Sequence, residues 1–117
     1  MKGDNIAERF LDFGARIVRL VRALPDDRTG KHISDQLLRS GTSGGSNYEE
    51  ARSAQSRRDF VHKVSLAAKE MREALYWVAL VGRVESDIAE DIPALLDEGK
   101  ELIAILMSSA KTAKHSQ

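Results

Sequence analysis

Residues 36–54 are Q-L-L-R-S-G-T-S-G-G-S-N-Y-E-E-A-R-S-A, and this segment predicts the second helix of a helical bundle. Apolar and small residues recur at steps of four and three, which lines one face of a helix; they are Ile33, Leu37, Gly41, Gly44, Tyr48 and Ala51. Each glycine inside a helix costs roughly 1 kcal/mol relative to alanine. We therefore expect neighbouring helices to approach closely here, with a kink at Gly44–Gly45 as the alternative.

A stripe of short polar side chains runs beside the apolar face of the same helix. The stripe contains Gln36, Ser40, Ser43, Asn47 and Glu50, with Arg39 next to it. Hydroxyls and amides suit close helix approach, whereas a solvated face would be rich in Lys and Glu. We predict that Asn47 and Glu50 are at least half buried and hydrogen-bonded across helices or subunits, with Arg39, Lys63 and Glu70 completing a structural network. The alternative is that the stripe forms a ligand or partner site.

Length and composition limit the class of protein. The 117 residues are enough for one domain with one core. A hydrophobic content of 42%, only 5% aromatic residues and two prolines favour a helical bundle over a β-sandwich. Without cysteine the chain has no disulfide or thiolate chemistry. Because the sequence shows neither a long apolar run nor a signal-peptide core, we expect a cytoplasmic protein with no membrane partner.

Hydrophobic periodicity predicts four helices in a single domain of residues 1–110. The predicted helices cover about residues 5–24, 31–53, 56–81 and 88–109, and residues 111–117 are predicted to form a disordered tail. Asn5 and Glu8 have the spacing of a capping box for the first helix. Pro25 should end that helix, because it disfavours helical geometry at the preceding residue. Ser56 should cap the third helix.

The first and third helices each carry a second apolar stripe, well away from the stripe that faces the core. These stripes contain Leu11 and Val18, with Ala7 beside them, and Leu66, Trp77 and Leu80. One bundle core needs only one apolar stripe per helix. We therefore predict that the extra stripes are subunit interfaces of a homo-oligomer. Scattered apolar surface residues, which are common in monomers, are the alternative.

Charge is balanced overall but uneven along the chain. Residues 1–72 hold 14 Lys and Arg against 10 Asp and Glu, whereas residues 73–117 hold 4 against 8. The candidate nucleic-acid contacts are Arg9, Arg16, Arg19, Arg57 and Arg58. For the first three, the other interpretation is a solvated face with an ion pair to Asp12. The fourth helix is acidic, and Glu98 is predicted to lie on its solvated surface.

The sequence lacks the residue sets of known catalytic and metal sites. Asp59 and His62 have the carboxylate–histidine spacing of di-iron bundles, but such a site needs this motif twice. No glycine-rich loop of the phosphate-binding type is present. Ser40 and Ser43 have no histidine near enough along their helix to activate a nucleophile. We therefore predict a protein that is not an enzyme and holds no cofactor or metal.

Several segments resemble the four-helix bundle family encoded within bacterial 23S rRNA intervening sequences. They are L-L-R-S-G-T-S-G-G-S-N-Y-E-E-A at residues 37–51, S-x-x-D-F-x-x-K at 56–63, K-E at 69–70 and W-V-A-L at 77–80. The chain is also similar to the accessory variability determinants of diversity-generating retroelements. The resemblance implies an all-α, up-down-up-down antiparallel left-handed four-helix bundle. It also implies a ring-shaped homopentamer.

Two hypotheses about function follow. The first is a non-enzymatic, homo-oligomeric scaffold or accessory protein in an RNA- or ribonucleoprotein-related process, with RNA or a nucleic-acid enzyme as a candidate partner. The second is direct nucleic-acid binding through basic helix faces gathered in a ring, as the retroelement proteins imply. The balanced charge of this chain departs from the strongly basic surfaces of those proteins.

Overall fold

The computed structural model describes residues 3–115, without the side chains of residues 89 and 90, and places them in four long α-helices. Helix α1 spans Asp4–Ala23, α2 spans Arg28–Arg52, α3 spans Arg57–Val84 and α4 spans Ile92–Lys114, with a 3₁₀ segment at Ser86–Asp91. No strand occurs within the described residues. Each helix packs against the next, and α4 packs back against α1. The predicted all-α four-helix bundle is therefore confirmed.

The turn between α1 and α2 follows from local chemistry. Leu24 adopts an extended backbone before Pro25, which ends α1 as predicted. The Asp27 carboxylate accepts a hydrogen bond of 2.8 Å from the Gly30 N–H. This cap starts α2 at Arg28, three residues earlier than predicted. A Cβ at Gly30 would lie 1.9 Å from the Pro25 carbonyl oxygen, so this tight turn requires glycine.

Other helix ends also differ from their predicted positions: α3 ends at Val84 rather than at residue 81, and α4 begins at Ile92 rather than at residue 88. Helix α1 begins directly after Gly3, whose φ of 93° is left-handed and which makes no side-chain cap. Asn5 lies inside the helix, so the predicted capping box is wrong. Helix α4 continues to Lys114, where the pattern predicts a disordered tail. Residues 111–114 contain no helix breaker, and lysines are favourable at a helix C-terminus. Residues 116 and 117 of the predicted tail lie outside the described residues.

The core contains apolar side chains from all four helices. Its largest fully buried members include Phe13, Ile17, Leu37, Met71, Leu102 and Leu106. The apolar stripe predicted on α2 is buried along its whole length. Helix α3 begins as predicted, because Ser56 Oγ accepts a hydrogen bond of 3.0 Å from the Asp59 N–H.

Helix α2 runs through Gly41, Gly44 and Gly45, and within Arg28–Arg52 the alternative kink at Gly44–Gly45 does not occur. A Cβ at Gly41 would lie 2.7 Å from Ile17 Cγ2. A Cβ at Gly44 would lie 2.6 Å from Met71 Cγ. The glycines therefore let both α1 and α3 approach the backbone of α2 closely.

Candidate functional site

The short polar side chains of α2 bond to carbonyl groups of their own helix. Ser40 Oγ donates to Gln36 O at 2.8 Å, and Ser43 Oγ donates to Arg39 O at 2.5 Å. Asn47 Nδ2 donates to Ser43 O at 2.9 Å. Asn47 is more than half buried, as predicted. Its bond lies within one helix, as is common for short polar side chains. Within the described residues Asn47 makes no bond to another helix, and a bond across subunits stays a prediction.

Arg39 provides a cross-helix contact of the predicted network. Its Nη1 donates to Glu70 Oε2 at 2.9 Å, and its Nη2 donates to Glu73. Nη2 also donates to Gln36 Oε1 at 3.1 Å. The Trp77 indole N–H donates to the same Glu73 oxygen at 3.1 Å. This cluster, called the α2–α3 network below, joins the two helices and holds Trp77 in place.

Glu50 and Lys63 form a separate contact between α2 and α3. Lys63 Nζ donates to Glu50 Oε1 at 3.2 Å, so the predicted pairing of Glu50 across helices is confirmed. The Glu50 side chain is 57% exposed, so the prediction that it is at least half buried is wrong. Glu50 lies two residues before the end of α2, where the short connection to α3 leaves it open to solvent.

Arg9 joins α1 to α4 through two carboxylates. Its Nε donates to Glu98 Oε2 at 3.0 Å, and its Nη2 donates to Glu98 Oε1 at 2.7 Å. Nη2 also donates to Glu101 at 3.3 Å. We call this cluster the α1–α4 bridge. The predictions that Asp12 is the ion-pair partner and that Glu98 is a solvated surface residue are wrong, because α4 packs its acidic face beside α1.

The electrostatics of the α1–α4 bridge follow from its two parallel hydrogen bonds. The bond to Glu98 raises the pKa of the Arg9 guanidinium above its usual value. The bond to Arg9 lowers the pKa of the Glu98 carboxyl below its usual value. A bidentate pair of this kind uses the planar fork of arginine that would otherwise bind a phosphate. Arg9 therefore stabilises the fold and is not a free nucleic-acid contact.

Glu98→Gln is expected to lower the free energy of unfolding at pH 7 by about 1–2 kcal/mol, because it removes a hydrogen-bonded charge pair. The pKa of Glu98 is lowered on folding. Its contribution is therefore present above the pKa of the unfolded chain and is lost as the pH falls through the folded-state pKa. Urea denaturation should show the difference between wild type and variant shrinking as the pH falls below the usual range of glutamate pKa values. The matched control, Glu101→Gln, should lower the free energy of unfolding by less. An equal loss of stability would contradict the assignment of Glu98 as the main partner of Arg9.

An apolar groove of about 500 Å³ runs along the surface between α1 and α2. It is lined by Ala7, Glu8, Phe10, Leu11, Gly14, Ala15, Val18, Thr42, Gly45 and Ser46. The Leu11 side chain is 69% exposed. Gly14 and Gly45 keep the groove open, because neither places a side chain in it. The groove is therefore a candidate interaction surface. We call it the α1–α2 groove.

The second apolar stripe of α3 is more covered than that of α1. Trp77 and Leu80 pack partly against the core, and Leu66 is partly buried. Next to Trp77, the Tyr76 ring is 62% exposed and packs edge-on against the indole at a centroid distance of 5.1 Å. Sequence reasoning missed Tyr76 because it lies off the stripe. Of the predicted interface residues, Leu11 is exposed, and the others are partly buried; these are Val18, Leu66, Trp77 and Leu80.

The remaining candidate nucleic-acid contacts lie in two places. Arg16 and Arg19 line a second cavity, opposite Asp87 and Asp91. Arg57 and Arg58 are exposed in the first turn of α3. Acidic groups therefore accompany Arg9, Arg16 and Arg19, and the predicted basic strip on α1 is interrupted.

The geometry defines a four-helix bundle with close helix contacts at glycines and an open apolar groove. Within the residues that the structure describes, no three His, Asp or Glu side chains are grouped to hold a metal ion. No helix in the same part of the chain has the length and apolar character needed to span a membrane.

The chain matches the sequence profile of the 23S rRNA-intervening sequence protein family over residues 4–108. It belongs to this family, which confirms the predicted resemblance to the proteins of 23S rRNA intervening sequences. Its structure is similar to the crystal structure of a protein of unknown function from the S23 ribosomal protein family of Bacteroides thetaiotaomicron. The two are 38% identical, with a TM-score of 0.83, over 92% of this chain and 99% of that one. No curated protein matches the chain.

Proposed function

We propose that this protein is a non-enzymatic scaffold that associates with copies of itself and acts as an accessory in an RNA- or ribonucleoprotein-related process. The α1–α2 groove carries the proposal of self-association, because it leaves a large apolar side chain, Leu11, 69% exposed beside an apolar channel. The link to RNA rests on the names of the family and of the similar S23 ribosomal protein.

The resemblance of the sequence to ring-forming proteins leads us to propose five subunits. A ring forms when one surface of a subunit meets a different surface of the next and the rotation closes. The α1–α2 groove would supply one of these surfaces. Tyr76 and the partly buried Trp77 form a second apolar area, on α3, and are our candidate for the other.

Self-association predicts a particle mass well above the 13.0 kDa of one chain. In light scattering coupled to size exclusion, we expect the wild type at five times that mass and Leu11→Asp at the mass of one chain. Burying a carboxylate in an apolar interface is unfavourable. Because Leu11 lies outside the core, circular dichroism should show unchanged helicity for the variant.

Met107→Asp is the matched control for this experiment, since Met107 is also exposed but lies on α4, outside the α1–α2 groove. It should assemble as the wild type does. A wild-type particle of 13.0 kDa at tens of micromolar protein would refute self-association. Equal loss of assembly in both variants would remove the groove as its site.

Direct nucleic-acid binding is the second hypothesis, and the exposed pair Arg57 and Arg58 is the observation that favours it. It has less support than the scaffold, because Arg9 is held in the α1–α4 bridge and Arg16 and Arg19 face aspartates. If phosphates are bound, fluorescence anisotropy with labelled RNA should show affinity falling steeply with salt. No binding at low salt would remove this hypothesis and leave the scaffold proposal unchanged.

A further inference from the structure

A second cavity of about 500 Å³ lies between the C-terminal half of α1, the 3₁₀ segment Ser86–Asp91 and the start of α4. It is lined by Arg16, Arg19, Leu20, Ala23, Asp87, Ile88, Asp91, Ile92 and Leu95. Ile92 and Leu95 are buried, and Leu20 and Ile88 pack partly against the core. The cavity, called the α1–α4 cavity below, therefore combines apolar lining from the core with two arginines and two aspartates.

The arginines and aspartates of this cavity lie opposite one another without direct pairing. Arg16 and Arg19, three residues apart, are neighbours on one face of α1. Among the described side chains, neither arginine forms an ion pair or side-chain hydrogen bond, and the same holds for Asp87 and Asp91. Arg16 is attracted to Glu98 at longer range, but the oxygens of Glu98 are already bonded within the α1–α4 bridge. Like charges side by side are unfavourable, and a bound ligand of opposite charge would relieve them.

We propose that the α1–α4 cavity binds a small zwitterion with an apolar body, of the class of apolar amino acids and short apolar peptides. Guanidinium groups match the planar geometry of a carboxylate, so Arg16 and Arg19 would bind the anionic end. Asp87 and Asp91 would face the ammonium end, and the apolar lining would cover the side chains. The volume lies in the range of small-molecule sites, about 300–1,000 Å³. The same aspartates disfavour a polyanion such as RNA, because like charges repel.

The direct test is a titration of the full ¹⁵N-labelled chain with the unblocked tripeptide Leu-Ala-Leu, followed by NMR. We expect the backbone resonances of residues 16–23 and 87–95 to move, while those of Thr42 and Ser46 in the α1–α2 groove stay unchanged. Amidating the peptide C-terminus or acetylating its N-terminus should each weaken binding by about tenfold or more, because each removes a charge-assisted contact.

Variants assign the two ends of the ligand. Arg16→Gln combined with Arg19→Gln should weaken binding of the free peptide by about tenfold or more. The same double variant should leave binding of the C-terminally amidated peptide little changed, because that peptide lacks the carboxylate that the arginines would bind. Asp87→Asn combined with Asp91→Asn should also weaken binding of the free peptide, but should leave binding of the N-terminally acetylated peptide little changed, since that peptide has no ammonium group. Arg57→Gln combined with Arg58→Gln is the matched control and should bind the free peptide as the wild type does.

The proposal is overturned if millimolar peptide moves no resonance, if the shifts map elsewhere, or if the double arginine variant binds as the wild type does. Repeating the titration with Leu11→Asp separates this site from self-association, because Leu11 lies outside the α1–α4 cavity. If the Leu11→Asp variant binds the peptide, the α1–α4 cavity is supported as a binding site, whether or not the wild type self-associates.

Discussion

Met71→Ala is expected to lower the free energy of unfolding by about 2–5 kcal/mol, the usual cost of deleting a buried side chain of this size. Met71 is fully buried on α3 and fills the space that Gly44 leaves on α2. A Cβ at Gly44 would lie 2.6 Å from both Cγ and Sδ of Met71. The two residues are therefore complementary in shape, and their substitutions should not be additive.

A double-mutant cycle tests this complementarity. Gly44→Ala alone should cost about 1–3 kcal/mol, because the buried Met71 side chain must move. In the Met71→Ala background, the same change should be neutral or stabilising, since the new methyl group enters the cavity and alanine favours the helix. Urea denaturation gives each free energy. Additive costs would contradict the direct contact between the two residues.

Gly41→Ala is expected to lower the free energy of unfolding by about 1–3 kcal/mol, the usual cost of overpacking a core. The new Cβ would lie 2.7 Å from Ile17 Cγ2 and 3.2 Å from Ile17 Cβ. Ile17 is fully buried and branched at Cβ, so it cannot move aside by a simple rotation. The backbones of α1 and α2 would have to separate.

Gly14→Ala is the matched control, since it makes the same chemical change in another helix. A Cβ at Gly14 would meet no described atom within 4 Å. This variant should therefore gain up to about 1 kcal/mol from helix propensity. Because Gly14 lines the α1–α2 groove, both variants are compared at several protein concentrations to separate folding from association. If Gly41→Ala and Gly14→Ala changed the free energy of unfolding in the same direction, close packing at Gly41 would be contradicted.

Interface and site residues were predictable from the sequence only in part. The extra apolar stripe of α1 placed Leu11 and Val18 on the surface that forms the α1–α2 groove. The same argument applied to α3 missed that the Trp77 indole N–H donates to Glu73, one turn earlier on the same helix. It could not show that Glu73 also accepts from Arg39, because Arg39 lies on another helix. The α1–α4 cavity had no sequence signal, since its charged side chains come from segments about 70 residues apart.

The sequence by itself determined the features that depend on neighbouring residues. Helical periodicity placed the inward face of α2, Pro25 set the end of α1, and Ser56 set the start of α3. These features are local, because each depends on side chains within about one or two turns of helix.

Only the tertiary structure decided which surface groups pair and which stay open. Arg9 and Glu98 are 89 positions apart in the chain, and packing of α4 beside α1 turned two apparently solvated charges into a bidentate bridge. The α1–α2 groove and the α1–α4 cavity exist for the same reason. Each is bounded by two segments whose distance and rotation depend on the packing of the whole bundle, and the periodicity of one helix does not contain that information.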